Sequence, residues 1–288
     1  MSRVKGLLVC VLILSLMACQ RESSAPQPTD ASSAPPTAGS DASASPGTPG
    51  PIVLEDVIER DPRYMIGISY PKGMERYPGL ANALHAYATD ARDELMQAVN
   101  GLSGDKPTAP YDLSLAFITL TETPSIVAVS AEGSSYTGGA HGNPLIARFV
   151  WLPAQQRMLK ASDLIADEAG WRDVSDYARE QMHASFSQRI DADSTMEPAD
   201  RAEFMKSGLK MIDAGLAPDA ANFQQFEPVL GSDGRLAALR FVFPPYQVGP
   251  YSDGVQSVEV PASVLLPHVT AEYRAFFAQD AMQLPSPQ

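Results

Sequence analysis

The stretch at residues 136–144 constrains the fold more than any other part of this 288-residue chain. It reads Tyr-Thr-Gly-Gly-Ala-His-Gly-Asn-Pro, and strand-like sequence ends before it and resumes after it. Three glycines in so short a segment favour a tight turn, because glycine adopts positive φ without a steric penalty. Residues 125–132 and 145–152 are therefore predicted to be two strands of one antiparallel meander.

The remaining periodicity predicts an α+β fold, in which an antiparallel sheet is packed by helices. Apolar residues at spacings of three and four form one stripe along each predicted helix, whereas the predicted strands are alternating or continuously apolar. Helices are predicted at 78–100, 167–190, 198–214 and 261–265, and further strands at 64–70, 111–121, 157–159, 223–230, 236–243 and 255–260.

The first eighteen residues have the composition of a signal peptide. Arg3 and Lys5 supply a positive start, and the apolar run at 6–16 is shorter than a membrane-spanning helix requires. The segment that follows, Leu16-Met17-Ala18-Cys19, resembles the lipobox of bacterial lipoproteins. The resemblance implies cleavage after residue 18 and lipidation of Cys19, whereas the alternative is an ordinary secretory signal with a chance cysteine.

Gln20 stands where the lipoprotein family uses aspartate to retain a protein in the inner membrane. The resemblance therefore implies a lipid anchor in the outer membrane, facing the periplasm. Residues 19–52 comprise the lipidated cysteine and a tether rich in proline, serine and alanine, which we expect to be disordered because it cannot bury a core. Two α+β subdomains are predicted to follow, at 53–158 and 159–288.

Charge and cysteine content exclude several classes of function. Loss of residues 1–18 removes two of 21 basic residues and none of the 34 acidic ones, which leaves a net charge of −15. Nucleic acid is therefore an unfavourable partner, whereas a cationic protein is a favourable one. The acidity is also explained by solubility alone. Cys10 and Cys19 are the two cysteines, so the predicted folded part has no thiol for a disulfide, a metal site or catalysis.

The sequence contains no recognisable catalytic or cofactor motif. Its four histidines, His85, His141, His183 and His268, do not form HExxH or another pair with metal-ligand spacing. GxSxG, GxGxxG and the P-loop motif are also missing from the sequence. We therefore predict no metal, no cofactor and no catalytic residue.

Two loops remain as candidate binding sites. The first offers Tyr136, His141 and Asn143, and the second, at 246–254, offers Tyr246, Tyr251 and Asp253. Aromatic rings and hydrogen-bonding groups of this kind recognise polar ligands or protein partners. The alternative is structural: the glycines satisfy a tight turn, His141 caps it, and the tyrosines are packing residues.

These two loops carry a family resemblance. The sequence Tyr136-Thr137-Gly138-Gly139-Ala140-His141-Gly142-Asn143, with Tyr246, Pro250, Tyr251 and Gly254, resembles an extracytoplasmic domain family of unknown function. That family is shared by lysozyme-sensing anti-sigma factors of the RsiV type and peptidoglycan deacetylases of the PdaC type. The resemblance covers roughly residues 56–270, and it implies an α+β fold outside the cytoplasm.

The resemblance also implies a binding role, because the domain binds lysozyme in the anti-sigma group. We expect signalling and deacetylation not to transfer, since the sequence shows no sigma-binding segment, transmembrane helix or deacetylase catalytic domain. The leading hypothesis is a lipid-anchored envelope protein that binds a cell-wall component or a cationic protein such as lysozyme. The alternatives are a cell-wall carbohydrate-modifying enzyme that pairs His141 with a carboxylate, and a structural envelope lipoprotein without a small ligand.

Overall fold

The computed structural model describes residues 52–103 and 106–278. The predicted signal peptide, Cys19 and all of the predicted tether except Ile52 lie outside these residues. Within the described ranges, no helix has the length and apolar character needed to cross a bilayer.

A six-stranded sheet occupies the first half of the described chain. Its strands are β1 (Val57–Asp61), β2 (Tyr64–Ser69), β3 (Tyr111–Glu122), β4 (Val127–Tyr136), β5 (Asn143–Leu152) and β6 (Arg157–Met158), and they neighbour one another in chain order. The predicted meander from β3 to β6 is antiparallel throughout. The predicted α+β class is confirmed.

The sheet differs from the prediction at its first edge. β2 and β3 are parallel, with Tyr64 opposite Tyr111, because the chain returns to the start of β3 through the long helix α1 (Pro78–Gly101). A parallel pair requires such a crossover, whereas a tight turn can join only antiparallel neighbours. The sequence prediction also missed β1, a five-residue edge strand with three charged residues and little of the apolar alternation that identifies a strand.

Helix α1 covers one face of this sheet. Leu80, Leu84 and Leu95 of its predicted stripe are fully buried, and at the end of the helix Val99 is buried rather than the predicted Ala98. These buried side chains belong to one core with the inward residues of β2 to β4, including Ile66, Ile68, Leu113, Leu115, Val127 and Val129. Burial of large aliphatic side chains, each worth about 1.5–3 kcal/mol, holds the helix on the sheet.

An ion pair between Glu59 and Arg92 ties the edge strand β1 to α1, with Nε at 2.8 Å and Nη2 at 3.1 Å from the two carboxylate oxygens. The hydrogen-bonded guanidinium lowers the pKa of Glu59, although partial burial acts in the opposite direction. A carboxylate with a lowered folded-state pKa stabilises the fold above its unfolded pKa of about 4.3, and this contribution is lost as the pH falls through the folded value.

Arg92→Gln is therefore expected to flatten the pH dependence of unfolding below about pH 5. The free energies of unfolding of Arg92→Gln and the unmodified protein should differ by less than about 1 kcal/mol, because both side chains of the pair are partly exposed to solvent. Urea unfolding at pH 7 and at about pH 3.5 measures the effect. Arg60→Gln, which alters an exposed neighbour on β1, is the matched control. Equal acid sensitivity in Arg92→Gln and the unmodified protein would contradict the assignment.

The second half of the chain builds a three-stranded antiparallel sheet in the order β7 (Phe226–Leu230), β8 (Leu236–Phe243) and β9 (Gln256–Pro261). Helices α2 (Ala161–Leu164), α3 (Glu168–Ala192) and α4 (Pro198–Gly215) precede it, and α5 (Ala262–Leu265) follows β9. Helix α3 begins at its N-cap Asp167, whose side chain accepts a hydrogen bond from the Gly170 N–H at 2.6 Å.

A second core, rich in aromatic residues, lies between these helices and the small sheet. Phe223 is fully buried and its ring contacts Trp171, Phe241 and Phe243, with ring centroids 5.1–6.0 Å apart. The predicted strand beginning at residue 223 is wrong at its start: Phe223 ends a 3₁₀ turn (Ala220–Phe223), and β7 begins at Phe226.

The other face of β4 and β5 contributes to this second core. Ala128, Val150 and Leu152 belong to the same buried cluster as Phe223, together with Ile126, which immediately precedes β4. The six-stranded sheet is therefore sandwiched at β4 and β5 between α1 and the elements of the second half. This packing brings the turn between β4 and β5 close to the loop between β8 and β9.

Candidate functional site

The turn between β4 and β5 is shaped by its glycines. Gly138 and Gly139 have φ angles of +101° and +100°, which side chains rarely tolerate. The Tyr136 hydroxyl donates to the Gly139 carbonyl at 3.2 Å. His141 follows on the exposed outer side of the turn.

The loop between β8 and β9 is fixed to the end of α4 by Gln247. Its side-chain amide donates to the carbonyls of Gly215 and Asn222 at 3.1 and 2.9 Å. A Cβ at Gly215 would lie only 2.0 Å from the Gln247 carbonyl oxygen, so close approach of the two backbones requires glycine there. Beside this attachment Tyr246 has a φ of +74°, a strained conformation for an aromatic residue.

The two loops bring three rings together, which we call the aromatic cluster: His141, Tyr246 and Tyr251. The Tyr246 hydroxyl oxygen lies 2.9 Å from His141 Nε2. The Tyr251 ring stacks on the imidazole, with centroids 4.0 Å apart and planes 17° apart. The two tyrosine rings are 5.8 Å apart, and Tyr246 remains 54% exposed. The cluster is therefore an ordered aromatic surface that solvent can reach.

The hydrogen bonds of His141 define its tautomer. Nδ1 lies 3.0 Å from the Gly142 carbonyl oxygen, which can only accept, so Nδ1 carries the proton. In the neutral ring Nε2 is then an acceptor, and the Tyr246 hydroxyl donates a hydrogen bond to it. Both ring nitrogens are thereby engaged, and the stacked rings present aromatic faces with polar edges.

Two sequence families match successive parts of the chain. The profile of the family described as Deacetylase PdaC matches residues 58–144. The profile described as Protein of unknown function (DUF3298) matches residues 162–263. We call these two matched stretches the PdaC region and the DUF3298 region. His141 lies in the first, and Tyr246 and Tyr251 lie in the second, so neither region holds the cluster alone.

Two solved structures resemble this fold. A DUF3298 family protein from Pseudomonas aeruginosa is 15% identical, with a TM-score of 0.49, over 78% of this chain and 96% of that protein. A DUF3298 family member from Bacteroides fragilis is also 15% identical, with a TM-score of 0.43, over 76% and 94% of the two chains. The comparison with curated proteins found no match.

Asp253 turns away from the aromatic cluster toward α3. Its Oδ2 accepts a hydrogen bond from Arg189 Nη2 at 2.6 Å. Its backbone N–H donates to the Pro250 carbonyl at 3.0 Å, which closes the 3₁₀ turn Tyr251–Asp253. Asp253 therefore supports the turn that carries Tyr251 within the DUF3298 region, rather than facing His141.

Two other predicted residues, Tyr136 and Asn143, flank the turn that carries His141. Tyr136 bonds to its own turn, as described above. Asn143 begins β5 opposite Ser135 and is exposed. No side-chain hydrogen bond joins Asn143 to another residue in the described ranges. Of the six predicted binding residues, the structure brings together His141, Tyr246 and Tyr251.

The cluster offers limited means for acid–base chemistry. Across 52–103 and 106–278, no carboxylate lies within hydrogen-bonding distance of a His141 ring nitrogen, and the neighbour of Nε2 is a tyrosine hydroxyl. Those same residues contain no group of three His, Cys, Asp or Glu side chains that could hold a metal ion. Within the described residues, the cluster therefore consists of three rings joined by stacking and one hydrogen bond.

Arg189 is the residue of this region that sequence reasoning missed. It lies near the end of α3, 64 positions before Asp253, and no spacing rule relates the two. The Arg189–Asp253 pair forms because the fold packs α3 against the loop between β8 and β9. An arginine in the last turn of an amphipathic helix is otherwise read as an exposed charge.

Arg189→Gln is expected to loosen the Tyr251 turn. In the unmodified protein the stacked Tyr251 ring shields the His141 ring protons and moves their NMR signals upfield. In Arg189→Gln much of this upfield shift should be lost, because the two rings no longer stack firmly. The loss of the charge-assisted hydrogen bond should cost about 1 kcal/mol or less overall, because the arginine is half exposed. Arg172→Gln, an exposed position on the same helix, should leave the His141 signals in place. Unchanged signals in Arg189→Gln would exclude this positioning role.

Proposed function

We propose that this chain is a lipid-anchored binding protein of the cell envelope, and that the aromatic cluster is its contact surface for a cell-wall component. The observation that carries the proposal is the stack of the exposed His141 ring on the half-buried Tyr251 ring, beside the exposed Tyr246. Aromatic faces pack against the C–H groups of sugar rings, and polar ring edges bond to hydroxyl or amide groups. Cell-wall glycan offers both.

Two features of the cluster favour ligand contact over simple packing. The rings are held from both sides, by Gln247 and the Arg189–Asp253 pair on one loop and by the β4–β5 turn on the other. Such preorganisation lowers the entropy lost when a ligand binds. The strained backbone of Tyr246 is a further sign, because strain of about 1–3 kcal/mol concentrates at functional sites.

The proposed location rests on the sequence before residue 52. A lipid on Cys19 would hold the protein at the outer membrane, and the tether would place the folded part roughly 30 Å from it, within reach of the periplasmic cell wall. Metabolic labelling with palmitate, followed by membrane fractionation, tests this location. Cys19→Ser should abolish both labelling and membrane retention, and a labelled Cys19→Ser protein would contradict lipidation at this residue.

Co-sedimentation with insoluble peptidoglycan tests the proposed ligand. The full chain in mild detergent should pellet with peptidoglycan, and the double variant Tyr246→Ala/Tyr251→Ala should bind at least about tenfold more weakly, because two contact residues are lost. Phe204→Ala, which removes an exposed aromatic residue of α4 outside the cluster, should bind normally. Equal pelleting of the double variant and the unmodified protein would refute the site.

A second candidate ligand is a cationic protein such as lysozyme. The net charge of −15 that remains after loss of residues 1–18 favours it, as does an open groove at α3 and α5 that is lined by Asp173, Asp176 and Glu180. Electrostatic association of this kind weakens steeply with salt. Co-migration with lysozyme at low salt, reduced in Asp176→Asn/Glu180→Gln, would support this candidate. No co-migration at low salt would exclude it.

A further inference from the structure

A cavity of 320 Å³ lies between the two halves of the chain, away from the aromatic cluster. Its walls come from β5, β6 and α2 on one side and from the segment preceding β7 on the other. The lining residues are Arg148, Met158, Leu159, Lys160, Ala161, Ser162, Ala220, Gln224 and Gln225. Because β5 rises about 3.3 Å per residue, Arg148 lies roughly 17 Å along the strand from Asn143 and the neighbouring turn.

Hydrogen-bond donors dominate the polar part of this lining. Lysine and arginine side chains only donate, and serine and glutamine add further donors. Gln225 Oε1 accepts the Arg148 backbone N–H at 2.7 Å, which leaves both N–H groups of its amide for a ligand. No carboxylate lines the cavity, although the chain has 34 acidic residues.

Lys160 supplies the available positive charge at the cavity. Arg148 is already compensated by Glu132 and Glu227, each at 2.6 Å. The Lys160 ammonium, in contrast, forms no ion pair with any residue of the described ranges, so its charge is available. Its exposed side chain lies at the start of α2. An incoming anion would therefore pair with Lys160 and accept hydrogen bonds from the glutamine amides.

The rest of the lining is apolar. Leu159 and Ala161 are buried, and Met158 and Ala220 complete this wall. We propose that the cavity is a binding site for a small amphipathic oxyanion, with a carboxylate or phosphate head at Lys160 and Gln225 and a short apolar body against Leu159 and Ala220. This site is separate from the aromatic cluster, and it does not depend on the function proposed for that cluster.

Calorimetric titration of the full chain tests the proposal with three probes of similar length: hexanoate, hexyl phosphate and hexanol. Hexanoate or hexyl phosphate should bind saturably, and the stronger of the two identifies the preferred head group. Hexanol should bind at least about tenfold more weakly, since it cannot make the charge-assisted contact. Equal binding of hexanol, or no saturable binding by any probe up to about 10 mM, would overturn the proposal.

Two variants locate the site. Lys160→Gln should weaken binding of the anion by about tenfold or more, whereas Lys210→Gln, an exposed lysine of α4, should not change it. Ala220→Leu should reduce binding by filling the cavity, and its folding can be checked by circular dichroism. The Gln225 side-chain amide signals should shift on titration. If neither Lys160→Gln nor Ala220→Leu weakens anion binding, the anion binds outside this cavity and the proposed site is refuted.

Discussion

Arg148→Met is expected to lower the free energy of unfolding by about 3 kcal/mol. The Arg148 side chain on β5 is 4% exposed and bridges Glu132 of β4 to Glu227 of β7, at 2.6 Å to each. Methionine keeps the apolar stem but leaves the buried Glu227 without its principal partner. Arg240 remains 3.2 Å from Glu227, so the loss should fall at the lower end of the range for a broken buried pair. The midpoint temperature of thermal unfolding should fall by roughly 6–12 °C.

Two controls separate the buried charge from the loss of packing. Arg240→Met removes a 41% exposed partner of the same Glu227 and should cost about 1 kcal/mol or less. Arg148→Met/Glu227→Gln should lose less stability than the two single changes added together, because the unpaired charge is gone. If Arg148→Met is no more destabilised than Arg240→Met, the buried ion pair does not stabilise the contact between the two sheets.

Phe223→Ala is expected to cost about 3–5 kcal/mol, the range for truncating a fully buried phenylalanine. Phe223 is 0% exposed and contacts the rings of Trp171, Phe241 and Phe243. It therefore joins α3 to β8, and the cavity left by alanine would lie at the centre of the second core. Urea unfolding monitored by tryptophan fluorescence measures the change, since Trp171 reports directly on this contact.

The matched control for this prediction is Phe204→Ala. Phe204 is 41% exposed on α4 and stacks on Phe186 at 6.0 Å, so its truncation should cost about 1 kcal/mol or less. Comparable losses in Phe204→Ala and Phe223→Ala would mean that Phe223 does not hold the second core together.

Strong periodicity made the long helices and the meander predictable. The stripe through Leu80, Leu84 and Leu95 predicts a helix at 78–100, and the observed α1 is longer by one residue at its C-terminal end. The turn at 231–234 separated β7 from β8. These features are local, because the pattern that defines each element lies within a few residues of it.

Features that depend on distant contacts were not predictable. β1 is stabilised by pairing with β2 and by the Glu59–Arg92 contact, 33 positions apart, and its own sequence carries little strand signal. Phe223 looked like part of the following strand because an aromatic residue near a hairpin is typical of strands. The tertiary contacts with Trp171 and Phe243 place it in a 3₁₀ turn instead.

The candidate site also combines features that local sequence predicts with contacts that only the fold creates. The glycines predict the turn at 136–144, and the tyrosines indicate a candidate binding loop at 246–254. The 2.9 Å contact between His141 and Tyr246 joins residues 105 positions apart, and Asp253 pairs with Arg189 rather than His141. Residue type identified the loops, but which side chains meet depends on how the PdaC and DUF3298 regions pack.

This packing gives the proposed function a structural consequence. Because His141 comes from the PdaC region and both tyrosines from the DUF3298 region, the cluster exists only when the two regions are joined. Ligand contact at the cluster would therefore depend on the same packing that Arg148 and Phe223 are expected to stabilise.

NMR titration of the full chain with a soluble disaccharide–peptide fragment of the cell wall tests whether the aromatic cluster recognises this ligand. We expect saturable chemical-shift changes concentrated on the ring signals of His141, Tyr246 and Tyr251, and no such changes in Tyr246→Ala/Tyr251→Ala. Saturable binding that leaves these three rings unchanged, or no binding of the fragment at all, would contradict the proposal that the aromatic cluster recognises a cell-wall component.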